Sequence, residues 1–297
     1  MIIKCPLHGW LIVNKPAGPS SAQVVGRVKY LLKPQKIGHG GTLDPMATGV
    51  LPLALGEATK TMPFILDSDK EYDFTLVFGT QTATDDAAGE VMATHAHRPT
   101  REDIEAVLPQ FRGLISQLPP AVSALKVNGE RAYKLARAGE IPDLKPRPVT
   151  VHRLECHGLE GATARLSAHV SKGTYIRSLA RDIAAALGTL GHVGTLHRTR
   201  HGPFTLAQAV TPEMLDKSLQ SGEKPPILPL DVALHGLVAH HVTAEQELAL
   251  RHGKPLLATG WEAGLARLYA AGSGQLLAVV DVDATGAATV RRGFNPV

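Results

Sequence analysis

Residues 38–51, GHGGTLDPMATGVL, gather four glycines, two threonines and one proline around a single carboxylate, Asp44. Glycine opens backbone conformations that other residues avoid, and proline fixes its own φ, so this composition predicts a tight turn that aims one side chain in one direction. A loop that only connects two elements has no need of such rigidity. The presentation of a reactive group does.

Working outward, SSAQVVGRVKYLL opens on cap-type serines, places Val24, Val25, Val28, Leu31 and Leu32 at helical spacing and stops at Pro34. After the turn, VLPLALG predicts a buried strand, and EYDFTLVFG alternates Tyr72, Phe74, Leu76 and Phe78 on one face of another. TREDIEAVLPQFRG predicts a helix capped by Thr100, with Ile104, Val107, Leu108 and Phe111 on one side and a break near Pro109. VTVHRLECHG and ATARLSAHVS predict a strand pair. In KGTYIRSLARDIAAALG, Ile176, Leu179, Ile183 and Leu187 form a helical stripe, Arg177 and Arg181 take another face, and Gly188 closes the element. Strands and helices mix without a regular βαβ rhythm, which predicts an α+β fold on a mixed or antiparallel central sheet flanked by helices. Beyond the proline-rich EKPPILPLD, one helical segment and short glycine-punctuated β segments set a small β-rich domain at 229–297 apart from a main domain at 1–228.

Composition narrows the class. The chain has 297 residues, 44% hydrophobic and 20% charged, enough for a sizeable core. Its net charge of +4 admits a polyanionic partner without requiring one. Two distant cysteines, Cys5 and Cys156, form no CxxC pair, which argues against a disulfide framework or zinc knuckle and fits a reducing cytoplasm. Pro6 and His8 spoil the opening segment as a signal peptide, and no apolar run approaches membrane-spanning length, so neither export nor membrane insertion is expected.

Catalytic signatures are mostly absent. GHGGTL lacks the last glycine of a dinucleotide fingerprint, and GxxxxGK[ST], HExxH and GxSxG do not occur, so neither a nucleotide cofactor nor a metal is expected. What remains is Asp44 on its turn, a Tyr-x-Arg pair at Tyr175 and Arg177, and Tyr72 near a strand start. Each has an ordinary structural reading, but together they suggest a carboxylate paired with an arginine, able to act as a nucleophile without metal or cofactor. A further stretch, about 113–148, crowds Lys126, Arg131, Lys134, Arg137, Lys145 and Arg147 between prolines, and reads either as a basic arm or as a solvated helix face with a linker.

KIGHGGTLDPMATGVLPLALGEATK closely resembles the signature of the TruB family of pseudouridine synthases, and the resemblance continues through NKPAGPSS, DSDKEYDFTLVFG, LPPAVSALKVNGERAYKLARAGE and SKGTYIRSLARDIAAALG, spanning about residues 10–205 in the family's order. The resemblance implies that Asp44 is the nucleophile and Arg177 its cation. It implies that Tyr72 stacks on the target base and assists its proton transfer, that Tyr175 and Leu196 line the same pocket, and that His39, near the flipped nucleotides, and Lys15 also belong to the substrate-binding residues. Gly40 is a departure, since many members carry threonine there. The implied reaction cuts uracil from its ribose and rejoins it through carbon 5, with no cofactor, on uridine 55 in the T-loop of tRNA. The flipped-out nucleotide would be gripped with help from the arm residues Lys126, Arg131, Lys134 and Arg137. The 229–297 segment resembles, more weakly, a PUA-like RNA-binding domain. A monomeric cytoplasmic enzyme without obligatory protein partner is implied, the competing readings being a guide-RNA-dependent relative and a non-catalytic RNA-binding or RNA-folding protein on the same scaffold.

Overall fold

The computed structural model describes residues 7–123, 126–127, 130–131 and 144–295. Its main sheet runs, from edge to edge, through the strands Ile227–Leu228, Gly9–Lys15, Thr48–Leu55, Gly191–His201, Lys70–Phe78, Thr163–Val170, Arg147–Glu160 and Gly113–Gln117. Every neighbouring pair is antiparallel except Thr48–Leu55 with Gly191–His201, so the sheet is mixed, as expected. Two unpredicted strands decide where the site lies. Gly9–Lys15 carries four consecutive fully buried residues, Trp10 to Val13, and pairs along its whole length with Thr48–Leu55. Gly191–His201 runs through the middle of the sheet and joins its two halves.

Helices form where their caps and apolar spacing place them. Ser20 caps Ser21–Leu32 in a capping box with Gln23, and Val24 and Val28 are buried beneath it. Thr100 caps Arg101–Val107 in the same manner with Asp103, and the break at Pro109 is a turn of 3₁₀-helix, Leu108–Phe111. Strand Lys70–Phe78 buries Tyr72, Phe74, Leu76 and Phe78 and turns the intervening residues outward. This face packs with Leu179, Ile183 and Ala184 of helix Ile176–Ala186 into one large core. No described helix is long and apolar enough to cross a membrane.

A second sheet of five strands is built from Val238–Val242, Gly264–Ala270, Leu276–Val282, Ala287–Gly293 and Leu256–Leu257, with the capped helix Ala244–Arg251 beside it. It has its own core around Leu268 and Val280. Leu276, Val279 and Phe294 instead join a cluster with Trp10, Ile12 and Phe204 of the first sheet, so an apolar seam fastens the two sheets together. At the rim of that seam, Glu57 accepts from the backbone N–H of Asn295 at 2.9 Å. Of the basic-arm residues, Lys126 and Arg131 are register partners in a short two-stranded ladder, whereas Lys134 and Arg137 lie outside the described residues.

Candidate active site

The turn at Asp44 is held by its backbone, and the holders are side chains from three separate elements. Ser21, in the first turn of its helix, donates its hydroxyl to Leu43 O and accepts from Leu43 N, both at 2.9 Å. Lys15, at the end of the first strand, directs Nζ to the carbonyls of Pro16, Pro45 and Ala47 at 2.9, 3.1 and 2.7 Å. Arg198, in the central strand, donates to Val50 O at 2.7 Å, Gly41 O at 3.1 Å and Thr42 O at 3.3 Å. The loop carbonyls converge on two buried cations, Lys15 and Arg198, which fix the loop from below, and Pro45 O also accepts from Gly18 N–H at 2.8 Å.

Two glycines are required by this packing. At Gly41, with φ +135°, a Cβ would lie 2.6 Å from the buried His201 ring. At Gly49, with φ +101°, it would lie 2.2 Å from Arg198 O. Gly40 has a milder constraint: a Cβ there would meet Ile65 Cγ2 at 3.0 Å and Trp10 at 3.3 Å, contacts that need those neighbours to shift by a few tenths of an ångström.

Above this support, Asp44 Oδ2 lies 3.0 Å from Arg177 Nε. The carboxylate side chain is 35% exposed and the guanidinium only 4%, so the anion faces the pocket while its cation lies behind it. Arg177 is immobilised by donating Nη1 to Thr84 O at 2.8 Å and Nη2 to Val122 O at 2.9 Å. Its Nε has no aligned hydrogen-bond acceptor, so the contact with Asp44 is an ion pair rather than a directed hydrogen bond. A cation in the first turn of helix Ile176–Ala186 opposes the helix dipole, a local cost accepted for the position it gives Arg177. The buried Asp86 supplies a second anion, with Oδ2 3.7 Å from Arg177 Nε, and its own Oδ1 accepts from Thr84 Oγ1 and Ala88 N. The Asp-Asp step in TATDDAAG, two carboxylates entering a turn, was the available sequence signal for it.

Asp44, Tyr72, Tyr175, Arg177 and Leu196 line one pocket of about 230 Å³, together with Lys70 and Arg198. Tyr72 lies opposite Arg198 in the strand ladder. Tyr175 is fixed through its backbone by the two-way amide clamp of Gln117, at 2.8 and 3.1 Å, and burial pushes its phenol pKa up. Sequence reading missed Lys70. Burial lowers its pKa to about 8, with nearby Arg198 adding to the effect, and it donates to Leu66 O and Ser68 O. Arg177, Lys70 and Arg198 thus place positive charge behind a pocket with one partly exposed carboxylate, a field suited to a polyanion.

Lys15 and His39 do not line the pocket. Lys15 is fully buried, and its ammonium is used on the three carbonyls; burial lowers its pKa to about 8, Asp44 drawing it back up and Arg198 pushing it further down. It therefore positions the turn and does not touch a ligand in the pocket. His39 is half-buried at the end of strand Ile37–His39, its Nδ1 has no partner among the described residues, and burial, followed by Arg198, lowers its pKa. Lys15→Met keeps the length of the stem and removes the donor. Leaving the buried Ala47 O without its donor should cost about 1–3 kcal/mol of stability, read as a lower urea midpoint, and the loosened carboxylate should lower kcat by about 10²-fold. A variant with the parent's midpoint and rate would show that Lys15 does not hold the turn.

Known proteins share this arrangement of sequence. The pattern of the TruB family pseudouridylate synthase N-terminal domain matches residues 29–176, and that of the tRNA pseudouridylate synthase B C-terminal domain matches 177–235. A protein named tRNA pseudouridine synthase B from Zymomonas mobilis is 46% identical over 97% of this chain and 96% of its own length. One of the same name from Novosphingobium aromaticivorans is 48% identical over 97% and 98%. Among solved structures, an H/ACA RNP bound to a substrate RNA containing 2'-deoxyuridine superposes with a TM-score of 0.76 at 26% identity, over 97% of this chain and 86% of that one. A Cbf5-Nop10-Gar1 complex gives 0.76 at 29%, over 97% and 85%. The chain belongs to the TruB family of pseudouridylate synthases.

Proposed function

We propose that this enzyme isomerises uridine 55 in the T-loop of tRNA to pseudouridine, with Asp44 as the nucleophile and without a cofactor. The observation that carries the reading is the Asp44–Arg177 ion pair, 3.0 Å long, at the floor of a pocket walled by Tyr72 and Leu196. Relatives named tRNA pseudouridine synthase B, aligned over nearly the whole chain, supply the substrate class. A uridine within a folded loop reaches such a pocket only by flipping out, at a cost of a few kcal/mol that stacking on Tyr72 and backbone contacts offset. Asp44 holds the ribose as its bond to N1 breaks, the freed uracil is retained between Tyr72 and Leu196, carbon 5 bonds to the ribose as Asp44 is released, and the proton lost from carbon 5 with help from Tyr72 is balanced by one that N1 gains.

On this reading the arm residues Lys126, Arg131, Lys134 and Arg137 contact RNA phosphates, and the five-stranded second sheet is a PUA-like RNA-binding domain. The enzyme acts as a monomer in the cytoplasm and requires no protein partner. The likeness to H/ACA structures makes guide-dependent action the reading to test against. Purified protein, given unmodified tRNA and no guide RNA, should produce pseudouridine at position 55 and nowhere else. Product at another uridine would overturn the site assignment. A strict requirement for guide RNA would overturn stand-alone action.

A further inference from the structure

Outside the pocket, three potential metal ligands converge from separate strands. Asp69 immediately precedes strand Lys70–Phe78, His152 lies in Arg147–Glu160 and His169 in Thr163–Val170. His152 Nε2 is 3.2 Å and His169 Nε2 3.4 Å from the same oxygen, Asp69 Oδ2. All three donor atoms fall within 4.8 Å of one another, and the two imidazole rings lie 4.7 Å apart. The edge between two ligands of a tetrahedral Zn²⁺ with bonds of about 2.0–2.1 Å is about 3.3 Å. Two of the three edges already have that length.

The backbone places these groups deliberately. The ladder pairs Val151 with Val170 and Arg153 with His169, leaving His152 as the extra residue of a β-bulge. A bulge re-aims the side chain it carries. The neighbouring cations are occupied elsewhere: Lys172 pairs with Asp67 at 3.0 Å, and Arg200 with Glu71 at 3.5 Å. Among the described residues, no Lys or Arg forms an ion pair with Asp69. Its carboxylate is left to the two histidines, and all three side chains are reached by solvent.

We propose that Asp69, His152 and His169 form a Zn²⁺ site, three protein ligands with the remaining position open to water. Two imidazoles and one carboxylate suit Zn²⁺ and disfavour the all-oxygen cations Mg²⁺ and Ca²⁺. The ligands are too far apart in the chain to form a motif that announces a metal. The site takes no part in the isomerisation. It ties the turn before Lys70, a pocket residue, to two neighbouring strands.

Calorimetric titration of the untagged, chelator-treated full chain with ZnCl₂ tests the site. One equivalent should bind and raise the Tm. His152→Ala and His169→Ala should each weaken binding by at least about tenfold, and the conservative His152→Gln should do the same in a folded protein. His95→Ala/His97→Ala, which alters another histidine pair with rings 6.5 Å apart, should bind as the parent does. Co²⁺ should give the intense visible bands of four-coordinate geometry, lost in the His152 and His169 variants. Absence of saturable Zn²⁺ binding would overturn the proposal, as would equal uptake by His152→Ala/His169→Ala.

Discussion

Asp44→Asn is expected to bind tRNA with the parent's affinity and to form no pseudouridine, a fall in rate of at least about 10⁴-fold. The amide has the shape of the carboxylate but is not an anionic nucleophile. The fold should tolerate it, because the turn is held through backbone groups by Ser21, Lys15 and Arg198, none of which bonds to the Asp44 side chain. Arg177 would retain Thr84 O, Val122 O and the Asp86 carboxylate, so its charge stays compensated. Binding is read by filter retention and turnover by release of tritium from carbon 5 of labelled uridine, since the product has the same mass as its substrate. Tritium release by the variant at more than about a hundredth of the parent's rate would remove Asp44 from the nucleophile's role, because a passive carboxylate is the kind of group whose loss a scaffold can absorb.

The parts of this molecule that were legible in the sequence are those in which local chemistry and tertiary environment agree. Helix Ser21–Leu32 has its cap serine and its buried valines in the expected places, and the alternation from Tyr72 to Phe78 is the alternation of burial itself. The central strand Gly191–His201 was not legible. GHVGTLHRTRH contains Arg198 and His201 where a central strand ordinarily carries apolar residues, yet both are buried, one to hold the Asp44 turn and the other against Gly41. A period-two reading counts such residues as solvent-facing. The strand Gly9–Lys15 was obscured differently: its run of apolar residues is buried on both faces and shows no alternation.

The site divides along the same line. Asp44 stood out because its turn chemistry is local, and the TruB resemblance then attached Tyr72, Tyr175, Arg177 and Leu196 to it. The residues that act on the turn from a distance gave no local signal. Lys15 was named through the TruB resemblance as a substrate-binding residue, yet it holds the turn from beneath, through carbonyls that no motif displays. Asp86, Lys70 and Gln117 become visible only when the strands bring them to Arg177, the pocket wall and Tyr175.

Arg177→Ala should damage both rate and stability, and separate variants can tell the two apart. It removes the cation between Asp44 and the buried Asp86 and leaves Thr84 O and Val122 O without their donors. Removing one partner from a buried charge network costs about 3–5 kcal/mol, which a urea titration would register. The loss of a fixed charge beside Asp44, the proposed nucleophile, should lower kcat by about 10²–10³-fold, with a smaller change in tRNA affinity. Arg177→Lys restores the charge but not the fork, and one ammonium cannot serve two carbonyls and Asp44 in the geometry of the guanidinium. It should recover part of the stability and little of the rate. Asp86→Asn added to Arg177→Ala removes the uncompensated buried anion, so stability should rise again while kcat stays low. If the double variant regained the rate together with the stability, Arg177 would matter only to folding; if Arg177→Lys regained the full rate, charge alone would suffice and the fixed position of the guanidinium behind Asp44 would have no catalytic role.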